Sequence, residues 1–253
     1  MILKNKNIVY LILFIGFLFN ALDAFSVFGV PLPWVSTAIF LFLFINLIVE
    51  KKFEVNSLVS QYFYWTIYCV LITIIFLFFQ YETLITNSIA SPLLYVLLRL
   101  LNFLSFFSII YSLNKILNIN NRDKIIELIS YASIIISVLS LVSYFSYVMN
   151  FPDLSRNRMG TGIGFQSIIK ACTVLRNYGT FREPSFLAVW IAPTIPLYFY
   201  NAREKNYWYV LSVLPITCLV LTRSLTGVMS FIIAVLLVFI LSLLQKSKLN
   251  LRL

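Results

Sequence analysis

Long apolar runs, most of them closed by basic residues, succeed one another along the whole chain. A run of about 20 residues, rising about 1.5 Å each as helix, matches the roughly 30 Å hydrocarbon core of a bilayer. Inside that core every backbone N–H and C=O must be satisfied within the segment, which restricts such runs to helices. Eight can be read: Ile8 to Phe28, Pro31 to Val49, Tyr62 to Phe79, Pro92 to Leu113, Ile125 to Met149, Pro184 to Tyr200, Tyr207 to Leu221 and Leu225 to Leu244. The seventh is short and contains Pro215. The first is too long for the apolar region of a signal peptide and lacks a small-x-small cleavage site. The expected fold is all-α, a polytopic transmembrane helix bundle of about eight spans forming a single integral membrane domain over 1–253.

Composition settles the solvent and removes whole classes of chemistry. Hydrophobic residues are 61% and charged residues 11% of the chain, against about 45–50% and about 25% in soluble domains. Lipid therefore has to cover the surface. Histidine is absent, which excludes imidazole catalysis, His-ligated zinc and haem. Cys69 and Cys218 fall inside apolar runs and Cys172 stands alone in a loop, so neither a disulfide framework nor a metal site is implied. No metal and no cofactor are expected. The net charge of +10 would suit nucleic acid, but the basic residues are dispersed between the spans. That dispersal fits positive-inside topology with an anionic ligand, and no nucleic-acid partner.

Counting Lys and Arg in alternate loops orients the chain. With the N-terminus inside, the inner segments hold 12 (Lys4, Lys6, Lys51, Lys52, Lys115, Arg122, Lys124, Arg203, Lys205, Lys246, Lys248 and Arg252), while the first two outer turns hold none and the last holds Arg223. Both termini are expected to be cytoplasmic. The remaining outer segment, a large extracytoplasmic loop over 150–183, breaks the rule. Arg156, Arg158, Lys170, Arg176 and Arg182 stand there against Asp153 and Glu183. A solvated basic loop is one reading; an outward-facing anion site is the other. Arg outnumbers Lys in this loop, and its planar fork matches phosphate oxygens bidentately. Pro184 suits the first position of the sixth helix, where its missing N–H costs nothing, and the amides of that helix end favour anions. Phe165, Ile168, Ile169, Cys172 and Leu175 recur at helical spacing, which suggests a short surface helix carrying Lys170. The run Met159 to Phe165, MGTGIGF, lacks the lysine and hydroxyl of a phosphate-binding loop, so its glycines read as loop mobility.

Polar residues inside spans need partners. Arg99 sits about a third of the way down the fourth span, and an unpaired Arg at the bilayer centre costs about 2.5–3.5 kcal/mol. Asn102 shares its face, and Asp23 near the end of the first span is a candidate counter-ion; snorkelling outward is the alternative. Ser224 suits an N-cap for the eighth helix, and Arg223 beside it can join the basic cluster.

The segment Leu175 to Tyr200, LRNYGTFREPSFLAVWIAPTIPLYFY, resembles the O-antigen polymerase and O-antigen ligase superfamily of bacterial membrane proteins. The likeness rests on Arg176, Gly179, Phe181, Glu183, Pro184 and Ser185, followed by LTRSLTG from Leu221 to Gly227. It covers the last third of the chain by motif and the rest by hydropathy. The resemblance implies a GT-C-like, metal-independent glycosyltransferase of the bacterial cytoplasmic membrane that polymerises undecaprenyl-diphosphate-linked oligosaccharide repeat units for O-antigen, capsule or exopolysaccharide. It implies membrane lipids and other polysaccharide-assembly membrane proteins as partners. In that chemistry the lipid diphosphate leaves, Arg176 and Arg182 stabilise its charge, and Glu183 takes the acceptor hydroxyl proton. Arg156, Arg158, Lys170, Arg223 and Arg99 are the further candidates for the diphosphate. Glu183 could instead pair with Arg182 or cap its helix. Members of the superfamily carry further spans and a second outer loop, so activity is expected to depend on added spans or a partner chain. Two other classes compete: a polysaccharide or lipid flippase, and a non-catalytic membrane subunit.

Overall fold

The computed structural model of the chain describes residues 5–53, 55, 57–80, 92–116, 120–152, 156–158, 175–233 and 235–236. The described residues are mostly helical, and one two-stranded hairpin is the departure among them. Three described helices are long and apolar enough to cross a membrane: Leu32–Val49, Val96–Leu113 and Arg122–Val148. The chain is thus a helical membrane protein, and the shorter helices have local causes. α1 (Lys6–Ala21) stops well before Phe28 because residues 26–31 turn back on themselves. Strands β1 (Ser26–Val27) and β2 (Val30–Pro31) pair antiparallel about Phe28 and Gly29, both at positive φ. Two positive φ values are what a tight hairpin turn matched to strand twist requires. The expected first span, Ile8 to Phe28, is corrected accordingly.

The chain forms two compact units, residues 1–20 with 33–124, and residues 21–32 with 125–253. In the first, α2 (Leu32–Val49), α3 (Ser57–Gln80) and α4 (Pro92–Ile116) follow α1. Aromatic edges hold it together. Phe17, Phe40 and Phe106 meet edge to face with ring centroids 5.3–6.0 Å apart, a favoured geometry. Tyr62 stacks on Phe107 at 3.9 Å between centroids and joins α3 to α4. Gly16 lies flat against the Phe40 ring, and its carbonyl accepts from the Ser36 hydroxyl at 2.8 Å.

The second unit is organised by the serines of α5 (Asn120–Val148). Ser130, Ser133, Ser137, Ser140 and Ser143 follow at helical spacing along one buried face. Small residues let neighbouring backbones approach, and the hydroxyls of Ser130, Ser133 and Ser143 bond to other segments, each worth about 0.6 kcal/mol. α6 (Pro184–Ile191) continues through a 3₁₀ turn (Ala192–Thr194) into α7 (Ile195–Asn201). Pro193 and Pro196 cannot donate to the helical ladder, which is where the helix tightens. At that turn the Thr194 and Ser133 hydroxyls meet at 2.8 Å. One turn further along α5, Ser130 accepts from the Tyr198 hydroxyl through its carbonyl at 3.0 Å and from Asn201 Nδ2 through its hydroxyl at 3.0 Å. Trp208 in α8 (Tyr207–Leu211) packs edge-on against Tyr198, with centroids 5.7 Å apart. α9 (Val213–Thr222) buries Cys218, whose thiol donates to the Ser137 carbonyl at 3.3 Å. A last helix runs over 225–233. The end of α5 that carries Ser143 faces the arginine-bearing segments, while Glu127 near the other end pairs with Lys205 at 3.7 Å.

Candidate functional site

The arginine-bearing segments assemble within the second unit. Asp23, one residue into the turn after α1, is buried and accepts from two arginines far away in the chain. Arg158 reaches its Oδ1 and its backbone carbonyl through Nη1, and Arg182 donates from Nε to Oδ2 at 2.8 Å. A buried carboxylate between two guanidiniums recovers its desolvation cost only with such paired hydrogen bonds. Asn157 fixes the same stretch to the hairpin, accepting from the Ser26 N–H at 2.6 Å and donating to its carbonyl at 2.7 Å. Thr180 closes the other side: its hydroxyl donates to the Ala21 carbonyl at 2.9 Å and its carbonyl accepts the Ala24 N–H at 3.0 Å.

Arg156 is a clamp. Its guanidinium donates to the Ser143 hydroxyl at 2.6 Å, the Gly179 carbonyl at 2.9 Å and the Tyr178 hydroxyl at 3.1 Å, and lies 4.2 Å above the Tyr178 ring. Gly179 makes that docking possible. Its φ is +49°, and a Cβ there would sit 2.0 Å from the Ser140 hydroxyl. On its N-terminal side the segment seals the end of α9. Arg176 Nε donates to the Thr222 carbonyl at 2.9 Å and the Asn177 N–H to the Leu221 carbonyl at 2.8 Å. Both carbonyls lack helical partners, and a cation is favourable at that end of the dipole.

Arg223 follows directly, left-handed at φ 48°, with an exposed side chain. Ser224 is buried and accepts the Gly227 N–H at 3.4 Å, the cap expected of it. Pro184 is the first residue of α6. Glu183 precedes it in extended conformation and makes no side-chain cap; its Oε2 accepts from the Ser185 hydroxyl at 3.2 Å. The partner of Arg182 is Asp23 rather than Glu183. Asp23 likewise gives both carboxylate oxygens to Arg158 and Arg182. Arg99 itself belongs to α4 in the first unit, half-buried one turn from Asn102.

Three guanidiniums are only partly used. Among the described residues Arg176 and Arg182 donate hydrogen bonds through Nε alone, and Arg223 donates no side-chain hydrogen bond. With Arg156 and Arg158 they set five guanidiniums against Asp23 and Glu183 on adjoining segments, an excess of three positive charges. No family model, curated protein or solved structure matches this chain. Its chemistry is therefore argued from the site itself. Among the described residues no three His, Cys, Asp or Glu side chains converge as a metal site would need. Lys170, Cys172, the glycine run 159–165 and the surface helix expected from Phe165, up to residue 174, lie outside the described residues, as do Asp153, Lys4, Lys246, Lys248 and Arg252.

Beside Arg176 lies a small recess, with room for about one water, lined by the last turns of α5 and residues 175–179. Asn177 borders it and is 1% exposed; its carboxamide makes no close hydrogen bond among the described residues and lies against the buried Cys218 thiol. A buried polar group without such a bond costs about 1–3 kcal/mol. The sequence reading missed Asn177 and the arginine-bridging role of Asp23. Asp23 did carry a signal, as the acidic residue closest to the outer end of the first expected span; Asn177 carried none.

Proposed function

We propose that this protein is a glycosyltransferase of the O-antigen polymerase and ligase kind, joining undecaprenyl-diphosphate-linked oligosaccharide repeat units on the outer face of the bacterial cytoplasmic membrane. In this reading it is a GT-C-like bundle of about eight spans with both termini cytoplasmic and the 150–183 loop outside. The observation that carries it is the half-used set of arginines. Arg176, Arg182 and Arg223 are positioned by the chain yet keep guanidinium donors open, the provision a diphosphate needs and a merely solvated loop does not.

Arg176 and Arg182 stabilise the charge that develops on the departing lipid diphosphate, with Arg223 and Lys170 adding to the field. Arg156 and Arg158 hold the loop in register. Glu183, engaged by a single hydroxyl among the described residues, accepts the proton of the attacking sugar hydroxyl. Membrane lipids surround the bundle, and other polysaccharide-assembly membrane proteins supply partners.

Charge-assisted contacts contribute about 1.5–3 kcal/mol each. Arg176→Ala and Arg182→Ala are therefore expected to lower affinity for undecaprenyl diphosphate about tenfold or more, and the Lys replacements by less. Binding to purified protein in nanodiscs checks this, alongside polysaccharide laddering in a strain lacking its own polymerase. Unchanged carrier affinity in both Ala variants would sink the proposal.

A further inference from the structure

The hairpin between α1 and α2 ends in an exposed apolar tip. Val27, Phe28 and Val30 are exposed, Phe28 fully so. Phe28 and Gly29 at the turn both have positive φ. Glycine suits that region, whereas a bulky aromatic rarely enters it. Water gives such a residue no reason to be there. An apolar surrounding does.

The backbone behind the tip is closed. The Ser26 N–H and carbonyl are both taken by the Asn157 carboxamide, at 2.6 and 2.7 Å. The Phe25 carbonyl accepts the Leu32 N–H at 3.0 Å, while the Ala24 carbonyl and N–H are met by the Arg158 N–H and the Thr180 carbonyl. These pairs remove polar groups that would otherwise resist entry into an apolar boundary.

Helix lengths bring that boundary to the hairpin. α1 has 16 residues, about 24 Å of helix against a core of roughly 30 Å. α2, long and apolar enough to cross a membrane, begins at Leu32 directly after β2. A tip four residues before the start of a span cannot stand far from lipid. α5 agrees. Its exposed apolar surface continues through Phe145, Val148 and Met149, beyond Ser143, where Arg156 grips the helix. The three consecutive residues Arg156, Asn157 and Arg158 join these parts, holding Ser143, Ser26 and Asp23 in turn.

We propose that the hairpin tip is a lipid anchor. Val27, Phe28 and Val30 enter the bilayer where headgroups meet acyl chains, a level that favours aromatic side chains. Through residues 156–158 the tip ties the arginine-bearing segments to the membrane surface. The leaflet is the outer one in the orientation of the preceding subsection, but insertion itself depends neither on that orientation nor on the carrier.

Spin-label depth measurements on the full chain in phospholipid nanodiscs test the anchor. Cys69, Cys172 and Cys218 are replaced by Ala, and a nitroxide is attached through Phe28→Cys or, in a separate protein, Val30→Cys. Both labels should collide several-fold more often with dissolved oxygen than with a water-soluble nickel chelate, as expected about 5–10 Å into the headgroup and acyl boundary. Adding Phe28→Asp to the Val30-labelled protein should shift its label toward water. Greater access to nickel than to oxygen at either position overturns the anchor, because the tip then stands in water. Low access to both agents overturns it as well, because protein rather than lipid then covers the tip. An unmoved Val30 label in the Phe28→Asp protein overturns the part given to Phe28. None of these readings involves the carrier, so each failure leaves the carrier proposal intact.

Discussion

Two regions of the arginine cluster use the same side chain in opposite ways. Arg156 and Arg158 are tied into the protein, one through a serine, a tyrosine and a backbone carbonyl, the other through the buried Asp23. Arg176 and Arg182 donate from Nε and leave Nη groups open among the described residues, and Arg223 reaches outward from a left-handed residue. A guanidinium has five N–H donors in a fixed fork. How many of them the protein itself takes separates an arginine that holds a loop from one available to a ligand. Counting charge does not make that separation.

The largest expected effect breaks the first region at its narrowest point. Gly179→Ala places a Cβ 2.0 Å from the Ser140 hydroxyl and 2.9 Å from its Cα. Overpacking and a left-handed alanine together should cost about 2–5 kcal/mol. Steric-trapping unfolding in micelles reads this, and Ser140→Gly in the same protein should recover part of the loss. A fully stable Gly179→Ala protein would show that the segment docks less closely than described.

Arg156→Ala comes next. It removes charge-assisted hydrogen bonds and a cation–π contact, and should destabilise by about 3 kcal/mol in the same measurement. The smallest stability effect is expected for Arg223→Ala, within about 0.5 kcal/mol, although this residue contributes to carrier binding in the proposed function. Equal destabilisation by the two replacements would erase the distinction between the regions.

The helices were legible because lipid leaves the backbone few choices, and a run of apolar residues announces a span whatever it packs against. α1 was overextended for a related reason. Phe25, Val27, Phe28 and Val30 keep the local hydropathy high through a turn, and only Asp23 and Gly29 hinted that the helix stops at Ala21. The arginine cluster was legible as an unusual density of arginine between two apolar runs. Its pairing was not, because Asp23 meets Arg158 and Arg182 across 135 and 159 positions of chain, and such meetings are set by packing. Asn177 could not be found beforehand, since an asparagine in a loop looks solvated until the segment is seen to dock.

The serine face of α5 carries a consequence for how this chain can vary in length. Ser130 meets Asn201, Ser133 meets Thr194 and Ser143 meets Arg156, at fixed distances along a single helix. An inserted residue between them would rotate everything beyond it by about 100° and carry Ser143 off the face that Arg156 grips. Substitutions on the lipid side of α5 leave that alignment untouched. Between Ser130 and Ser143 the helix works as a ruler, tolerant of changed letters on its outer edge and intolerant of an added or missing one.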